Sequence, residues 1–398
     1  MSGKSVARFE ERQKAIIETA SVFLNQHGAQ GFRREDVARE LKLDTSTIAY
    51  YFKKRDDLLA ACLSRTITWV SDQADLAGAE PDQRARTDHY LAANLDLLAS
   101  QRRGDSVPLP VLSDLATLPD PLRLPLQTQL SDAFARIIDF HPSTDHPPDR
   151  VWRLLGGNML LNIAFWIPAW DDKFRLEDFP RIHRILSHFL SGGLLHSSET
   201  EQTDMVDLEP AAEDGAKTEF LKAATRLINR YGYKGAKVDR IAAELGLSTG
   251  SFYHHLKTKD ELVVACFERT FAIIESAFKI ADTEPDAGAK LARISGLIAH
   301  HQFTAETPLL RFASYQALPE DLRNETFAHT DQLAHHLAGL IADGMGDGSV
   351  RPTDPVIAAN SLLAVLHGFS GVSRWIREDY PLLARDHFMT MLTSGIYR

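Results

Sequence analysis

The sequence predicts an all-α protein built from two similar units in tandem. Apolar residues recur at three- and four-residue steps along most of the chain, which is the period of amphipathic helices. Alternating strand patterns bounded by hairpin turns do not occur. The 398 residues contain an internal repeat of about 200 residues, and one domain typically has ~100–200 residues. We therefore expect two helical units, each with its own core.

The repeat is clearest around the two cysteines of the chain. Cys62 aligns with Cys266 at an offset of 204, and 16 of the 52 residues from Ala15 to Thr66 are identical in the second copy. Weaker similarity follows, in the same order, at an offset of 200 (117–123 with 317–323) and then of 209 (166–167 with 375–376). This pattern indicates a tandem duplication with small insertions. Apolar neighbours surround both cysteines, so we expect buried structural thiols.

The first helix of each copy has an apolar stripe that stops before a glycine, Gly28 in copy one and Gly232 in copy two. Glycine in this position typically ends a helix. Beyond the next two short helices, amphipathic runs predict further helices at Asp88–Gln101, Leu122–Phe140, Val151–Trp170 and Pro180–Leu195, with counterparts at Lys290–His301, Leu322–Asp343, Pro355–Ile376 and Leu382–Ile396.

The composition excludes several protein classes. The chain is 44% hydrophobic and 25% charged, with a formal net charge of −10, as in ordinary globular proteins. Two distant cysteines exclude a disulfide framework and a cysteine-based zinc site. The beginning of the chain lacks an apolar signal sequence, and no run approaches the roughly 18 apolar residues of a membrane helix. We expect a cytoplasmic protein without membrane association.

Charge is unevenly distributed along the chain. The segment 197–216, called the linker below, contains seven acidic residues and no basic one, which predicts a solvated, disordered connection. Residues 1–66 carry a net charge of +3 and residues 216–270 carry +4. A negative protein can therefore still present local basic surfaces.

Two short helices in each copy form a helix-turn-helix pattern. They span Glu35–Leu41 and Thr45–Phe52 in copy one, and Asp239–Leu245 and Thr249–Leu256 in copy two. The turn needs one residue in the left-handed region. Gly246 adopts that conformation without steric cost, and Lys42 at the matching position should cost about 1 kcal/mol.

The residues around the second of these helices are candidates for DNA contacts. Hydroxyl groups reach base edges, and cations suit phosphates. Asp44 and Ser248 stand at its N-cap position, where a side-chain acceptor is preferred. The candidates are Arg33, Thr45, Ser46, Thr47, Tyr50, Tyr51, Lys53 and Arg55 in copy one, and Lys237, Thr249, Gly250, Ser251, Tyr253, His254, His255, Lys257 and Lys259 in copy two. For Arg33 and Lys237 a solvated surface charge is the alternative.

At these positions the sequence resembles the TetR family of transcriptional regulators. Copy two follows the family pattern closely, with Ile241-Ala242, Gly246-Leu247-Ser248, Gly250-Ser251-Phe252-Tyr253, Lys259 and Leu262. Copy one departs from it, because Ala49 replaces the tyrosine, Arg55 the lysine, Lys42 the glycine and Asp44 the serine. The resemblance implies a three-helix DNA-binding head and a helical body for effector binding and dimerisation. It also assigns DNA-backbone contacts to Tyr253, His255 and Lys259.

The resemblance divides the chain into five parts: helix-turn-helix DNA-binding domains at 1–66 (head one) and 217–270 (head two), effector and dimerisation domains at 67–196 and 271–398, and the linker. Family members usually dimerise through a four-helix bundle of their last two long helices. Here we predict a single-chain pseudo-dimer, in which the last two predicted helices of each copy pack together. Small residues in these helices would allow the two copies to approach closely, and the alternative is that they are ordinary spacers within the core. These residues are Gly156, Gly157, Ala164, Ala358, Ala359, Ala364 and Gly368.

Aromatic and amide residues of the bodies are candidates for effector chambers. They suit an apolar ligand with one or two polar groups, and a plain packing role is the alternative for each. The candidates are Asn158, Asn162 and Trp166 in copy one, and Phe312, Asn360, His367 and Trp375 in copy two.

These observations predict a repressor that a small molecule releases from a double-stranded DNA operator, with two non-identical heads reading an imperfect palindrome. The alternative is a regulator or scaffold whose degenerate first head binds a partner protein or a single half-site. Association of two tandem chains also stays open. The pattern G-x-S-x-G at 246–250 lacks the strand that a hydrolase needs before it, so no enzyme is expected, and no motif indicates a cofactor or metal site.

The difference between the heads generates a prediction. Tyr253→Ala should weaken operator binding more than Tyr51→Ala, because copy two keeps the family tyrosine that copy one lacks. A titration at low salt measures both losses, and equal losses would contradict the asymmetry.

Overall fold

The computed structural model describes residues 3–141, 147–197, 206–210, 215–246, 248, 250, 258–311, 320–369, 372, 376 and 380–397. These ranges contain helices and no β-strand, which confirms the all-α prediction. Within them, no helix is both long and apolar enough to cross a membrane. Copy one contributes α1 (Gly3–Gly31), α2 (Arg34–Glu40), α3 (Thr45–Tyr51), α4 (Arg55–Gly78), α5 (Gln83–Arg103), α6 (Asp120–Ile138), α7 (Pro147–Trp166) and α8 (Phe179–Gly192).

The described helices of copy two follow the same order. They are α9 (Gly215–Gly235), α10 (Val238–Glu244), α11 (Lys259–Ala281), α12 (Ala287–Thr304), α13 (Glu320–Asp347), α14 (Pro355–Gly368) and α15 (Pro381–Ser394). The chain forms two compact units. The first unit comprises Met1–Gly78 and Asp96–Arg136, and the second comprises Ala79–Leu95 and Ile137–Arg398.

Glycine interrupts the first helix of each copy, as the sequence predicts. Gly28 has φ 61° and ψ 175°, and Gly232 has φ 72° and ψ 167°. One further helical turn follows each break. In copy one the Phe32 amide donates to the Gly28 carbonyl, and in copy two the Ala236 amide donates to the Gly232 carbonyl, both at 3.1 Å. Positive φ favours glycine because a Cβ would crowd the backbone.

The first unit has its core where α1, α2, α3 and α4 meet. Ile16, Val37, Ile48, Leu58 and Cys62 are all fully buried there. The short 3-10 helix Leu112–Thr117 packs on α1 and α4. Short helices such as α2 and α3 depend on tertiary packing of this kind because they are too short to be stable alone.

In the second unit, the last two helices of the two copies pack against each other. Both α7 and α8 contact α14 and α15. Gly368 permits the closest approach, since a Cβ there would lie 2.1 Å from Asn162 Cγ. Gly157 instead faces α6, where a Cβ would lie 2.6 Å from the Ile138 Cα.

The chain segments after α8 and α15 exchange backbone hydrogen bonds within the second unit. The amides of Leu194 and Leu195 donate to the Leu392 carbonyl at 2.7 and 2.9 Å, and the amide of Ile396 donates to the Leu190 carbonyl at 2.8 Å. Each segment therefore uses the same carbonyl of the other copy's last helix. The hydrogen bonds between the two segments are therefore reciprocal.

Three sequence expectations need correction. The predicted helix Val151–Trp170 ends at Trp166, because Pro168 has no N–H and disfavours the α conformation before it. The predicted helix Pro355–Ile376 ends at Gly368. The linker is not solvated throughout, since Leu208 is only 2% exposed.

Adjacent glycines at the end of α8 provide a stability test. Gly193 has φ 72°, and a Cβ there would lie 2.4 Å from the Leu392 carbonyl oxygen, whereas nothing lies within 4 Å of a Cβ on Gly192. Gly193→Ala should lower the free energy of unfolding by about 2 kcal/mol or more. Gly192→Ala is the matched control and should be neutral or slightly stabilising. Denaturant unfolding compares them, and equal stabilities would contradict the close packing.

Candidate nucleic-acid interface and effector pockets

The helix-turn-helix of head one rests on a buried inner face. Val37, Ala38 and Ile48 are at most 2% exposed. In the turn, Lys42 has φ 53° and Gly246 at the matching position has φ 66°. Both values lie in the left-handed region, as predicted.

The candidate residues at the start of α3 lie on its outer face. Thr45, Ser46 and Tyr50 are exposed, and Tyr50 reaches 71% exposure. The expected side-chain cap is wrong, because Asp44 makes no capping bond. Its carbonyl instead accepts the amide of Thr47 at 2.9 Å. Hydroxyl and phenol groups of α3 therefore project from the surface together.

Cations flank this surface. Arg33 and Lys53 are exposed, and Arg33 occupies the N-cap position of α2. Arg34, which the sequence did not single out, donates from Nη1 to the carbonyls of Phe52 and Lys53 at 3.3 and 3.1 Å. It thus satisfies carbonyls at the end of α3, a role that depends on spatial proximity and leaves no local sequence signal.

Two other candidates of head one have partners within the protein. The Tyr51 ring packs on Phe9 of α1, with centroids 4.6 Å apart. Arg55 Nε donates to the Phe32 carbonyl at 3.2 Å, and its guanidinium lies 5.9 Å from the Phe32 ring centroid. These contacts orient both side chains beside α3.

The described part of head two places three candidates. Lys237 is exposed and precedes α10, Gly250 is exposed and helical, and Lys259 is half-buried at the start of α11. The Thr258 hydroxyl caps α11 by accepting the Glu261 amide at 3.1 Å. The remaining candidates of this head lie outside the described residues: Thr249, Ser251, Tyr253, His254, His255 and Lys257.

An asparagine joins the first helix of each copy to a loop, which follows α5 in copy one and α12 in copy two. Asn25 Nδ2 donates to the Leu109 carbonyl at 3.0 Å, and Asn25 Oδ1 accepts the Val111 amide at 3.2 Å. Asn229 makes the same two bonds in copy two, at 2.9 and 3.0 Å. A bidentate side-chain amide fixes both position and orientation of the loop.

The described effector candidates pack between helices. Asn162 Nδ2 donates to the Asn158 carbonyl at 2.7 Å, and Asn360 Nδ2 donates to the Val356 carbonyl at 2.9 Å. Asn158 Oδ1 is buried without a partner among the described residues. Trp166 is 9% exposed and His367 3% exposed. Phe312 and Trp375 lie outside the described residues.

The second unit contains two pockets whose linings do not include the effector candidates. One, of about 370 Å³, lies among the linker, α9 and the end of α12. The other, of about 380 Å³, lies between α11 and α13, where His329 and His336 stack on Phe271 and Phe278 with centroids 4.0 and 4.5 Å apart. Both volumes fall within the ~300–1,000 Å³ range of small-molecule sites.

Burial controls the ionisation of the core groups. Cys62 and Cys266 are fully buried, as predicted, and burial raises the pKa of each thiol to about 12. Thiols in this state are inert. Burial also lowers the pKa of His367 from 6.5 to about 3, and burial with Arg153 nearby lowers the pKa of His141 to about 4.

Copy two matches models of known protein families. Residues 220–266 match bacterial regulatory proteins of the tetR family, and residues 285–391 match the tetracyclin repressor-like C-terminal domain. Copy two is therefore similar in sequence to regulators of this family. The matched ranges cover the first and second parts of copy two, in the order of a TetR head and body.

Two relatives with similar sequences have about the length of one copy. The fatty acid metabolism regulator protein of Bacillus subtilis (strain 168) is 24% identical over 190 residues, covering 45% of this chain and 94% of the relative. The HTH-type transcriptional repressor KstR2 of Mycolicibacterium smegmatis is 24% identical over 197 residues, covering 47% and 93%. About half of this chain thus corresponds to nearly a whole relative.

Solved structures give similar coverage. AibR in complex with isovaleryl coenzyme A and operator DNA is 20% identical, with a TM-score of 0.38, over 45% of this chain and 98% of that chain. The ketosteroid transcriptional regulator KstR2 of Mycobacterium tuberculosis is 17% identical, with a TM-score of 0.40, over 48% and 100%.

The buried histidines predict a pH-dependent stability. The unfolded chain binds a proton at His367 below pH 6.5, whereas the folded chain resists protonation down to about pH 3. The free energy of unfolding should therefore fall as pH falls below 6.5, by roughly 1.4 kcal/mol per pH unit for this histidine. His367→Gln should make the dependence shallower between pH 6.5 and 5, as measured by chemical unfolding. An unchanged slope would contradict the burial of a neutral imidazole.

Proposed function

We propose that the chain is a single-chain transcriptional repressor, in which two TetR-type units act as the two halves of one DNA-binding pseudo-dimer. Each head reads one half of an imperfect palindromic operator in double-stranded DNA. A small molecule bound in the bodies shifts the heads away from the groove spacing and releases the DNA. The reciprocal packing of α7 and α8 with α14 and α15 is the observation that carries this proposal.

The reciprocal tails support the intramolecular pairing. Equivalent carbonyls of Leu190 and Leu392 accept amides from the segment that follows the other copy's last helix. Two-fold contacts of this type normally join identical subunits. Here both partners belong to one chain, so pairing does not require a second molecule. Fusion also removes the need for identical half-sites, because two-fold symmetry is what normally imposes operator palindromy.

The surface chemistry of head one supports DNA binding. Exposed hydroxyls of Thr45 and Ser46 and the phenol of Tyr50 suit base edges, and Arg33 and Lys53 beside them suit phosphates. The heads are positive whereas the remaining chain is strongly negative. Affinity should therefore be local to the heads and fall steeply with salt.

The asparagine junction supports effector control. Asn25 and Asn229 connect the first helix of each head to a body loop through two hydrogen bonds each. Displacement of that loop by a ligand would therefore move the head. The control is a population shift between two head separations, of which the operator binds one.

A second candidate function is a regulator whose first head binds a single half-site weakly or binds a partner protein. The internal contacts of Tyr51 with Phe9 and of Arg55 with Phe32 favour this candidate, because they engage two side chains that the proposal assigns to DNA.

Selection of bound fragments from the source genome, followed by mass measurement of the complex, tests the proposal. We expect an imperfect palindrome with one chain per operator, and an affinity that falls strongly with salt. A footprint over one half-site would favour the second candidate. Two chains per site would contradict the pseudo-dimer, and an absence of enriched DNA would contradict the repressor.

A further inference from the structure

The linker is anchored in the second unit by a buried ion pair. The Glu209 carboxylate accepts two bonds from the Arg269 guanidinium in α11, with Nε 3.0 Å from Oε2 and Nη2 bound to Oε1. Arg269 Nη2 also donates to the Thr307 carbonyl at 3.1 Å. A segment that is acidic and polar in sequence thus inserts one carboxylate into the folded body.

The cation that receives this carboxylate is unusually enclosed. Arg269 is 4% exposed, and its Nη1 is buried without a partner among the described residues. His301, also 4% exposed, places Nε2 4.0 Å from Glu209 Oε1. A buried guanidinium needs an anion, because desolvation of the charge is otherwise uncompensated. Bidentate carboxylates satisfy this need best.

Copy one shows that the guanidinium belongs to the repeat and the carboxylate does not. Arg65 occupies the position of Arg269, and its Nη2 donates to the Val107 carbonyl at 3.5 Å, as Arg269 does to Thr307. The residue that matches Glu209 at the offset of 204 is Ser5, which has no carboxylate. Arg65 Nη1 is likewise buried without a partner in the described ranges. Glu209 therefore comes from the linker, whereas both copies contain the arginine, which is buried in copy two and half-buried in copy one.

A pocket adjoins the ion pair. It has a volume of about 370 Å³. Its lining includes Lys222 of α9, His301, Thr307 and the apolar Leu208, and also the carboxylates of Asp207, Glu209 and Glu306. The pocket offers space beside the Glu209 carboxylate for the short chain of a small organic acid.

We propose that Arg269 and His301 form a carboxylate-binding site, which Glu209 occupies in this structure, and that a small organic acid replaces Glu209 and releases the linker. The acid's carboxylate takes the two guanidinium bonds. Its chain lies against the pocket lining that α9, α12 and the segment after α12 supply, since the lining from residues 206–209 leaves with the linker. Glu209 moves into solvent, where its charge is hydrated. This inference rests on the proposed function in one respect, since it names the chemical class of an effector.

Thr307 connects this site to the helix-turn-helix of head two. Its carbonyl accepts from Arg269, while its hydroxyl accepts from Arg226 Nη1 at 3.0 Å. Arg226 Nε in turn donates to Glu244 of α10 at 3.1 Å. An exchange of occupants at Arg269 therefore acts on a continuous set of hydrogen bonds that ends in the helix-turn-helix.

An added acid must compete with Glu209, which the chain holds close to Arg269. A short flexible connection gives an effective concentration in the millimolar range. A simple monocarboxylate such as propionate should therefore compete only at high concentration, and an acid that also fills the pocket should compete at lower concentration. Propionate is a suitable probe because it carries the carboxylate and little else.

Removal of the internal carboxylate provides the first test. Glu209→Ala in the full chain should unfold at a lower temperature, and sodium propionate should raise its Tm by about 2–4 °C more than sodium chloride of equal ionic strength. Glu209→Gln is the matched control, because its amide fills the same space and should block the rescue. Equal effects of propionate and chloride on Glu209→Ala would overturn the site.

Hydrogen exchange on the unmodified chain provides the second test and does not depend on the folding of a variant. Propionate should make the amides of residues 206–209 exchange several-fold faster than chloride does, because release of Glu209 frees this segment. Unchanged exchange would overturn the replacement. Both tests are made without DNA, so their failure leaves the proposed repressor intact, and a failure of operator binding leaves the site intact.

Discussion

The packing of the last two helices of one copy against those of the other is the interaction on which the second unit depends. Gly193 and Gly395 occupy matching places at the ends of α8 and α15, and each lies against the backbone of the other helix, closer than any Cβ would allow. The amides that follow them are satisfied by Leu392 and Leu190. Buried amides require such partners, so each copy completes the hydrogen bonding of the other.

The loops bound by Asn25 and Asn229 have matching hydrogen bonds although their sequences differ. Asn25 and Asn229 are identical and make identical bonds. Beside them, Thr66 Oγ1 donates to the Pro110 carbonyl at 2.6 Å, whereas Thr270 Oγ1 accepts the Leu310 amide at 3.0 Å. The hydroxyl reverses its role because proline has no amide proton. A hydroxyl at this place therefore tolerates either sequence, which a carboxylate or an ammonium would not.

The sequence predicted features that depend on local backbone or on burial, and it missed those that depend on distant partners. The left-handed turn at Lys42, the breaks at Gly28 and Gly232, and the burial of both cysteines follow from steric and apolar patterns within a few residues. The pairs Phe9–Tyr51, Arg34–Phe52 and Arg269–Glu209 join residues far apart in the chain, and no periodicity marks them. The acidic composition of the linker predicted that it is solvated. Composition does not show that one of its carboxylates binds a buried arginine elsewhere in the chain.

Two contacts fix the chain on either side of the linker's first part. Just before the linker, the His196 amide donates to the Ser349 carbonyl at 3.1 Å. Within the linker, Leu208 is buried and Glu209 binds Arg269. Leu208 follows His196 by twelve positions in the sequence, and a chain of that length spans at most about 40 Å. The ion pair of Glu209 with Arg269 therefore ties the linker to α11 before α9 begins.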